Sequence, residues 1–348
     1  MEVEPPSGSN VSVSQPGLNE LPSPAYGPRV YHETCDVKRL HWIVEHAHEL
    51  DLGRSYVRGK YVEGAAQISL IKKYYKRMLE GRGTIAQTYF QHNGRGRRFV
   101  EQTGLQCLSR KIRHTIAGDL RDLDVSNAQP TMLQWYCERQ HIPCPCLRDY
   151  NLNRDDRLHD LMHAFSINKD QAKKLLLKAM NKYQNQYQQT EADPEWLYAF
   201  HLEMRQISLA VMIANPAIEM EARARKDHNI AGSTLNRILC DIENRVLEIL
   251  ERVMHAGGAE IRALCFDGLM VSGVADVDPL LRACERTILE EMELTLRICE
   301  KPMNEGYDVP TDQLVTYDVT ASSWLHSTAM CDSRKSRSAR TEGVDSYL

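Results

Sequence analysis

Two aspartates stand where carboxylates can hold metal. Asp124 lies in DLDVSNAQPTM, at the end of a short strand-like stretch that runs directly into a helix start. Asp267 lies in LCFDGLMVSG, between two apolar runs. Hard divalent cations such as Mg²⁺ take oxygen ligands, and carboxylates are the natural ones. Nucleotidyl transfer needs two such cations about 3.5–4 Å apart, one activating the attacking 3′-hydroxyl and one holding the triphosphate. Both stay in place only if their carboxylates come from rigid, adjacent strand ends. A strand-to-helix junction and a hairpin tip meet that need, so the pair predicts two Mg²⁺ or Mn²⁺ ions shared by Asp124 and Asp267. Asp122, two residues before Asp124, points to the same strand face and is a candidate further ligand or a support for one.

The elements that must position these residues are legible in outline. Arg121–Val125 reads as a strand, and Pro130 opens a helix to about Gln140, because the missing N–H of proline is harmless in a first turn. Thr234–His255 carries Leu235, Ile238, Leu239, Ile242, Val246, Ile249, Leu250 and Val253 at helical spacing, and Gly257-Gly258 stops it. Strands Ile261–Phe266 and Leu269–Ser272 flank Asp267-Gly268, and Asp-Gly between apolar runs is a strong hairpin signal. Asp278-Pro279 starts another helix, and Glu293–Cys299 reads as a last strand with Lys301 just beyond it. Upstream, Asp36–Leu50 and Ile68–Leu79 read as helices, and Thr84–Thr103, which contains NGRGRRF, as a loop or hairpin. Asp170–Tyr183 reads as a Lys-rich helix on which Lys174 and Lys178 share a face.

With these elements in place, DLDVSNAQPT resembles motif A of palm-domain nucleic-acid polymerases, a strand Asp followed by a small polar residue and a helix start. Family B DNA polymerases carry D-x-x-S-L-Y-P-S there, and reverse transcriptases a similar run. CFDG resembles motif C, a hairpin with Asp at its tip. It has one carboxylate and a Gly where many polymerases have two acids; single-Asp versions exist in family A-like enzymes. The order strand, helix, long excursion, helix, hairpin, helix, strand is that of the palm. The block from NGRGRRF to FDGLMV is also similar to uncharacterised polymerase-like replication proteins of large DNA viruses and mobile elements. The resemblance implies an α+β fold: an antiparallel palm sheet backed by helices over 116–325, with largely helical fingers at about 141–233. It implies a template-directed polymerase working on a primer–template and nucleoside triphosphates, with other replication proteins as further partners.

Within that frame Lys174 and Lys178 resemble the triphosphate grip of a fingers helix, although no single family pattern matches them residue for residue. Arg113 is a further candidate for the triphosphate, and Lys301 stands where a palm general acid for pyrophosphate departure can sit. Gln129, five residues after Asp124, falls where these families place a residue under the sugar of the incoming nucleotide. Glutamine is bulky enough to exclude a 2′-hydroxyl and polar enough to bind one, so the sugar stays open. An RNA-synthesising or primase-like enzyme is therefore one alternative, and an inactive palm kept as a nucleic-acid-binding subunit is another. No second acidic cluster reads as a proofreading exonuclease.

The net charge of −4 argues against a uniformly basic nucleic-acid binder, but it hides an asymmetry. Between Arg54 and Arg113 stand 14 Lys or Arg against three acids, Glu63, Glu80 and Glu101, which points to a polyanionic partner. Residues 29–115 are thus expected to form a basic, helical nucleic-acid-binding region. Arg95, Arg97 and Arg98 would grip phosphates beside Tyr89, Phe90 and Phe99, with Arg110 and Lys111 next to motif A. The ten cysteines are scattered; Cys144 and Cys146 in PCPC lack a second pair at zinc-ribbon spacing, and free thiols are expected. Residues 1–28 and 326–348 read as disordered tails. No apolar run approaches the ~20 residues of a membrane span. MEVEPPSGSN lacks the basic start and apolar core of a signal peptide, so an intracellular protein is expected.

Overall fold

The computed structural model describes residues 27–57, 60–181, 190 and 193–314. The tail expected over 326–348 lies outside the described residues, as does all but the last two residues of the one expected over 1–28. In chain order the N-terminal half contains β1 (Arg29–Thr34), α1 (Val37–Glu45), β2 (Ser55–Val57), β3 (Lys60–Val62), α2 (Gly64–Glu80), β4 (Thr84–Gln91), β5 (Arg98–Val100) and α3 (Arg110–Ile116). Asp36 starts α1 by accepting hydrogen bonds from the amides of Lys38 and Arg39, each at 3.0 Å, which satisfies two of the donors a helix start leaves unpaired.

This half carries the helices expected near 36–50 and 68–79 and a hairpin within the expected Thr84–Thr103 stretch, but also strands β1, β2 and β3 that its sequence does not announce. β4 pairs antiparallel with both β1 and β5, and β2 pairs with β3. The reason lies in buried polar side chains. Glu33 on β1 and Gln87 on β4 are both sealed inside. Glu33 accepts hydrogen bonds from the Tyr89 hydroxyl at 2.8 Å, the Leu105 amide at 3.0 Å and the Tyr74 hydroxyl at 3.3 Å. Burial pushes its carboxyl up to about 6, against the pull of those donors. Polar residues at inward positions erase the apolar alternation by which a strand is recognised.

The C-terminal half runs β6 (Arg121–Val125), α4 (Ala128–Arg139), α5 (Pro145–Leu152), α6 (Arg154–Phe165), α7 (Lys169–Asn181), α8 (Glu195–Ala214), α9 (Pro216–Arg223), α10 (Ile230–Ala256), β7 (Glu260–Cys265), β8 (Gly268–Ser272), α11 (Asp278–Met292) and β9 (Ile298–Lys301). Its four strands form one antiparallel sheet in the order β7-β8-β6-β9. Between α4 and α10 every described element is a helix. The fold is α+β, an antiparallel sheet backed by helices. α4 begins at Ala128, two residues earlier than expected, so Pro130 stands third in the helix. It is tolerated there because the first four N–H groups of a helix have no partner within it.

The two faces of this sheet meet different cores. Leu123, Leu264, Leu269, Val271 and Ile298 pack with Leu133 of α4, Ile242 and Leu250 of α10, and Ile288 of α11. Ala263 and Met270, on the other face, pack with Ile71 of α2 and Ile112 and Ile116 of α3. α3 therefore roofs part of the face that carries the acidic residues. Among the described residues no helix is long and apolar enough to cross a membrane.

Candidate active site

The register of β6 assembles the site. Asp124 lies opposite Gly268 on one side and Cys299 on the other, and Asp122 opposite Met270 and Lys301. Cys265 pairs with Gly268 across the β7–β8 hairpin. Residues directly opposite one another share a face, so Asp122, Asp124, Cys265, Cys299 and Lys301 all look the same way. The turn itself is Phe266-Asp267, with Phe266 at φ 65°, and Gly268 is already the first residue of β8. Asp267-Gly268 is thus not the two-residue turn the sequence implies. A Cβ on Gly268 would lie 2.1 Å from the Leu123 carbonyl oxygen and 3.1 Å from the Asp124 Cα. Glycine is required because β8 closes on β6 where Asp124 stands. With Asp267 next to the partner of Asp124, the two Cα atoms are no more than about 9 Å apart.

The electrostatics follow from that crowding. Burial, then the charges of Asp124 and Glu243, raise Asp267 to about 7, with Arg97 pulling the other way. Asp122 is 8% exposed; burial and, more weakly, the charge of Asp124 raise it, while Arg113 and Lys301 lower it. The Lys301 ammonium forms an ion pair with Asp124 Oδ2. Lys301 is the last residue of β9 rather than a residue beyond a strand, and the strand begins at Ile298, five residues later than expected. Asp122 lies two residues further from the hairpin tip than Asp124, about 6.5 Å along the strand, so it sits nearer Lys301 and Arg113 than Asp267.

These residues fit a divalent cation by the chemistry of their donors. A carboxylate whose ionisation is made costly by burial and by a neighbouring carboxylate, as at Asp267, is stabilised by a hard cation beside it. Among the described residues no group of three or more His, Cys, Asp or Glu is placed to hold a metal ion. Cys144 and Cys146 make no such cluster either, and Cys144 is buried.

The basic residues divide into three groups. Arg95, Arg97 and Arg98 turn inward onto α10. Arg95 Nε donates to Asp241 at 3.0 Å, Arg97 grips Glu243 with both ends of its fork, and Arg98 donates to Glu248 at 3.2 Å. Arg98 is 1% exposed, which corrects its expected place on nucleic acid: no phosphate can reach it. Arg110 and Lys111 are exposed and pair with Glu305 and Asp51, each at 3.0 Å; such pairs are weak and exchange easily for phosphate. Arg113, Lys174 and Lys178 have no ion pair with any described residue. Arg113 reaches Cys265 Sγ at 3.7 Å, and its buried Nε has no hydrogen-bond partner. Lys174 and Lys178 lie on the exposed side of α7. The last residue of that helix, Asn181, donates to Gln129 Oε1 at 3.1 Å, so α7 ends beside the first turn of α4.

Sequence reasoning missed Glu243, the contacts of Asn127 and the close approach at Gly268. Glu243 is 1% exposed; its signal was an acid at an inward position of the apolar stripe of α10, between Leu239 and Val246. Asn127 adopts φ 53° ahead of α4. Its Oδ1 accepts from Arg154 Nε at 3.0 Å and its Nδ2 donates to Asn151 at 2.9 Å, which ties the strand-to-helix turn to α5 and α6. At Arg97, burial opposes the charge, but the Glu243 carboxylate outweighs it and holds the guanidinium above its ordinary value. Arg97→Leu is expected to cost about 3 kcal/mol in urea unfolding, because Glu243 is left charged and unpaired inside. Adding Glu243→Leu should recover most of that loss; a double variant no more stable than the single one would contradict it.

No family model matches the chain. A Sputnik virophage protein provisionally named helicase V13 is 29% identical over 248 residues, which are 66% of this chain and 31% of that protein. The chain thus spans about a third of the length of the relative it matches. Among solved structures, the chain is similar to the polymerase domain of Pol1 from M. smegmatis, in complex with DNA primer-template and dNTP. The match covers 77% of this chain and 66% of that one, at 13% identity and a TM-score of 0.47.

Proposed function

We propose that the chain is a template-directed nucleotidyltransferase that extends a primer at the Asp124–Asp267 pair. The observation that supports this reading is the register of β6 with β8, which sets Asp124 opposite Gly268, the residue that follows Asp267 in the chain. Asp124 and Asp267 would hold the divalent ions, which when bound activate the 3′-hydroxyl and neutralise the triphosphate. The rest of the site is the protein's own. Arg113, half-buried beside Cys265 with an unpartnered Nε, supplies fixed positive charge for the phosphates. Lys301 stays paired with Asp124 until substrate arrives, and its ammonium is then free to give a proton to the departing pyrophosphate. Asp122 keeps Arg113 and Lys301 oriented on that face.

Gln129 has its carbonyl oxygen occupied by Asn181, which leaves its NH₂ donors for the sugar of the incoming nucleotide. Lys174 and Lys178 face outward on the helix that ends at that contact, placed to grip the triphosphate. Replacing both with Ala is expected to raise KM for the nucleotide roughly tenfold or more with a smaller change in kcat, the signature of lost ground-state binding. An unchanged KM in steady-state kinetics would return them to a solvated helix face.

The name of the virophage relative favours a second reading, DNA unwinding. ATP-driven motors fold a Gly-x-x-x-x-Gly-Lys-Ser/Thr phosphate loop, and these 348 residues contain no such run, so the reading follows the aspartates. The test is primer extension with Mg²⁺ or Mn²⁺ on DNA and RNA templates, with dNTPs and with NTPs. Extension establishes the polymerase, and the nucleotide used shows what Gln129 selects. No extension in any combination, with primer–template still bound, would leave a nucleic-acid-binding subunit.

A further inference from the structure

The arginines of NGRGRRF spend their charge on α10, yet the surface they hold up has a composition of its own. Six rings from three separate stretches of chain form a continuous string. Tyr61 and Tyr56 face each other across the β2–β3 hairpin with centroids 5.1 Å apart. Tyr56 meets Phe266 at 5.9 Å, and Phe266 meets Phe99 at 6.1 Å. His92 follows at 5.4 Å from Phe99, and Phe90 at 5.1 Å from His92. Phe266 is the residue before Asp267, so the string passes directly beside the carboxylate pair. Its backbone sits in the left-handed region, uncommon for a bulky residue, and Arg97 stacks 5.1 Å from its ring.

A string that served packing alone would bury its outer end. Tyr61 is instead 67% exposed, with the Arg54 guanidinium 5.0 Å over its ring. Arg54 and Lys60 are exposed at that end, and neither has an ion pair with a described residue. Aromatic faces in series beside unpaired cations suit an unpaired strand, whose bases stack on rings while its phosphates meet the charges. A duplex would offer only backbone to these rings. We propose that the strip from Tyr61 to Phe266 is a track for single-stranded nucleic acid, which leads an unpaired strand to the Asp124–Asp267 site. This rests on the nucleic-acid reading of that site, but it is tested without catalysis.

The experiment is fluorescence anisotropy of a labelled oligothymidylate with the full chain, in the absence of divalent metal and nucleotide, over a range of salt. Tyr61→Ala is expected to weaken binding roughly 5- to 100-fold, the cost of one stacked base, with the salt slope unchanged. Tyr61→Trp should restore it. Arg54→Gln should instead flatten the slope by about 0.7, the loss of one single-strand phosphate contact. Binding by Tyr61→Ala equal to wild type, a loss that Tyr61→Trp does not rescue, no binding by wild type, or a preference for the duplex would each overturn the proposal. A chain that binds through the strip and never extends a primer refutes the polymerase reading alone. A chain that extends primers while Tyr61→Ala binds normally refutes the strip alone.

Discussion

Asp267→Asn is expected to lower primer extension by roughly 10³-fold or more while making the protein more stable at pH 8. On the proposed mechanism the substitution removes one of two carboxylates that would hold the reacting groups' counter-charge; single groups of that kind are commonly worth 10²–10³ or more. The gain in stability follows from the same crowding. Burial and the charges of Asp124 and Glu243 lift the Asp267 carboxyl from its ordinary value near 4 to about 7. A folded-state value above the unfolded one means that the folded protein binds more protons in between. The contribution of Asp267 is therefore fully present below about pH 4 and is lost as pH rises to about 7. Asn carries no charge and escapes that loss. Thermal unfolding at pH 8 should show a Tm higher by roughly 2–5 °C, and the difference should vanish toward pH 4. An inactive variant less stable than wild type at pH 8 would mean that Asp267 is a structural anchor, not a strained functional one.

Gly268→Ala should be the most damaging single-methyl change in the sheet. Its Cβ would stand 2.1 Å from the Leu123 carbonyl oxygen, a backbone atom held in the β6–β8 ladder and unable to turn aside as a side-chain tip could. Either β8 lifts from β6 or the hairpin tilts; both move Asp267 relative to Asp124. The expected cost is about 3 kcal/mol, at the upper end for overpacking, together with loss of extension even where the variant folds. Chemical denaturation followed by circular dichroism reads the first, and extension at a temperature where the variant is folded reads the second. A wild-type midpoint would show that the strands are not in the close contact described above.

Much of this site was legible because its signals are local. The strand at Arg121–Val125, the helix after Asn127, the hairpin at 260–272 and the long apolar stripe of α10 all follow from spacing within a few residues. Two kinds of information were not local. Glu33 and Gln87 make polar interior positions in β1 and β4 that only their partners, Tyr74, Tyr89 and Leu105, explain. The arginines at 95, 97 and 98 read as a phosphate grip because their acidic partners, Asp241, Glu243 and Glu248, lie about 150 residues away in sequence. A count of charge in one window cannot see neutralisation from another. The same holds for Gly268, which occupies a position familiar from turns but is needed for the approach of β6.

Of all measurements, the most direct is crystallography of the chain with Mn²⁺, a primer–template ended by a dideoxynucleotide, and a matched incoming nucleotide. The account predicts anomalous peaks in contact with both Asp124 and Asp267, and Lys301 released from Asp124 to the phosphates. Manganese bound elsewhere, or no peak at the pair with Lys301 still seated on Asp124, would contradict it.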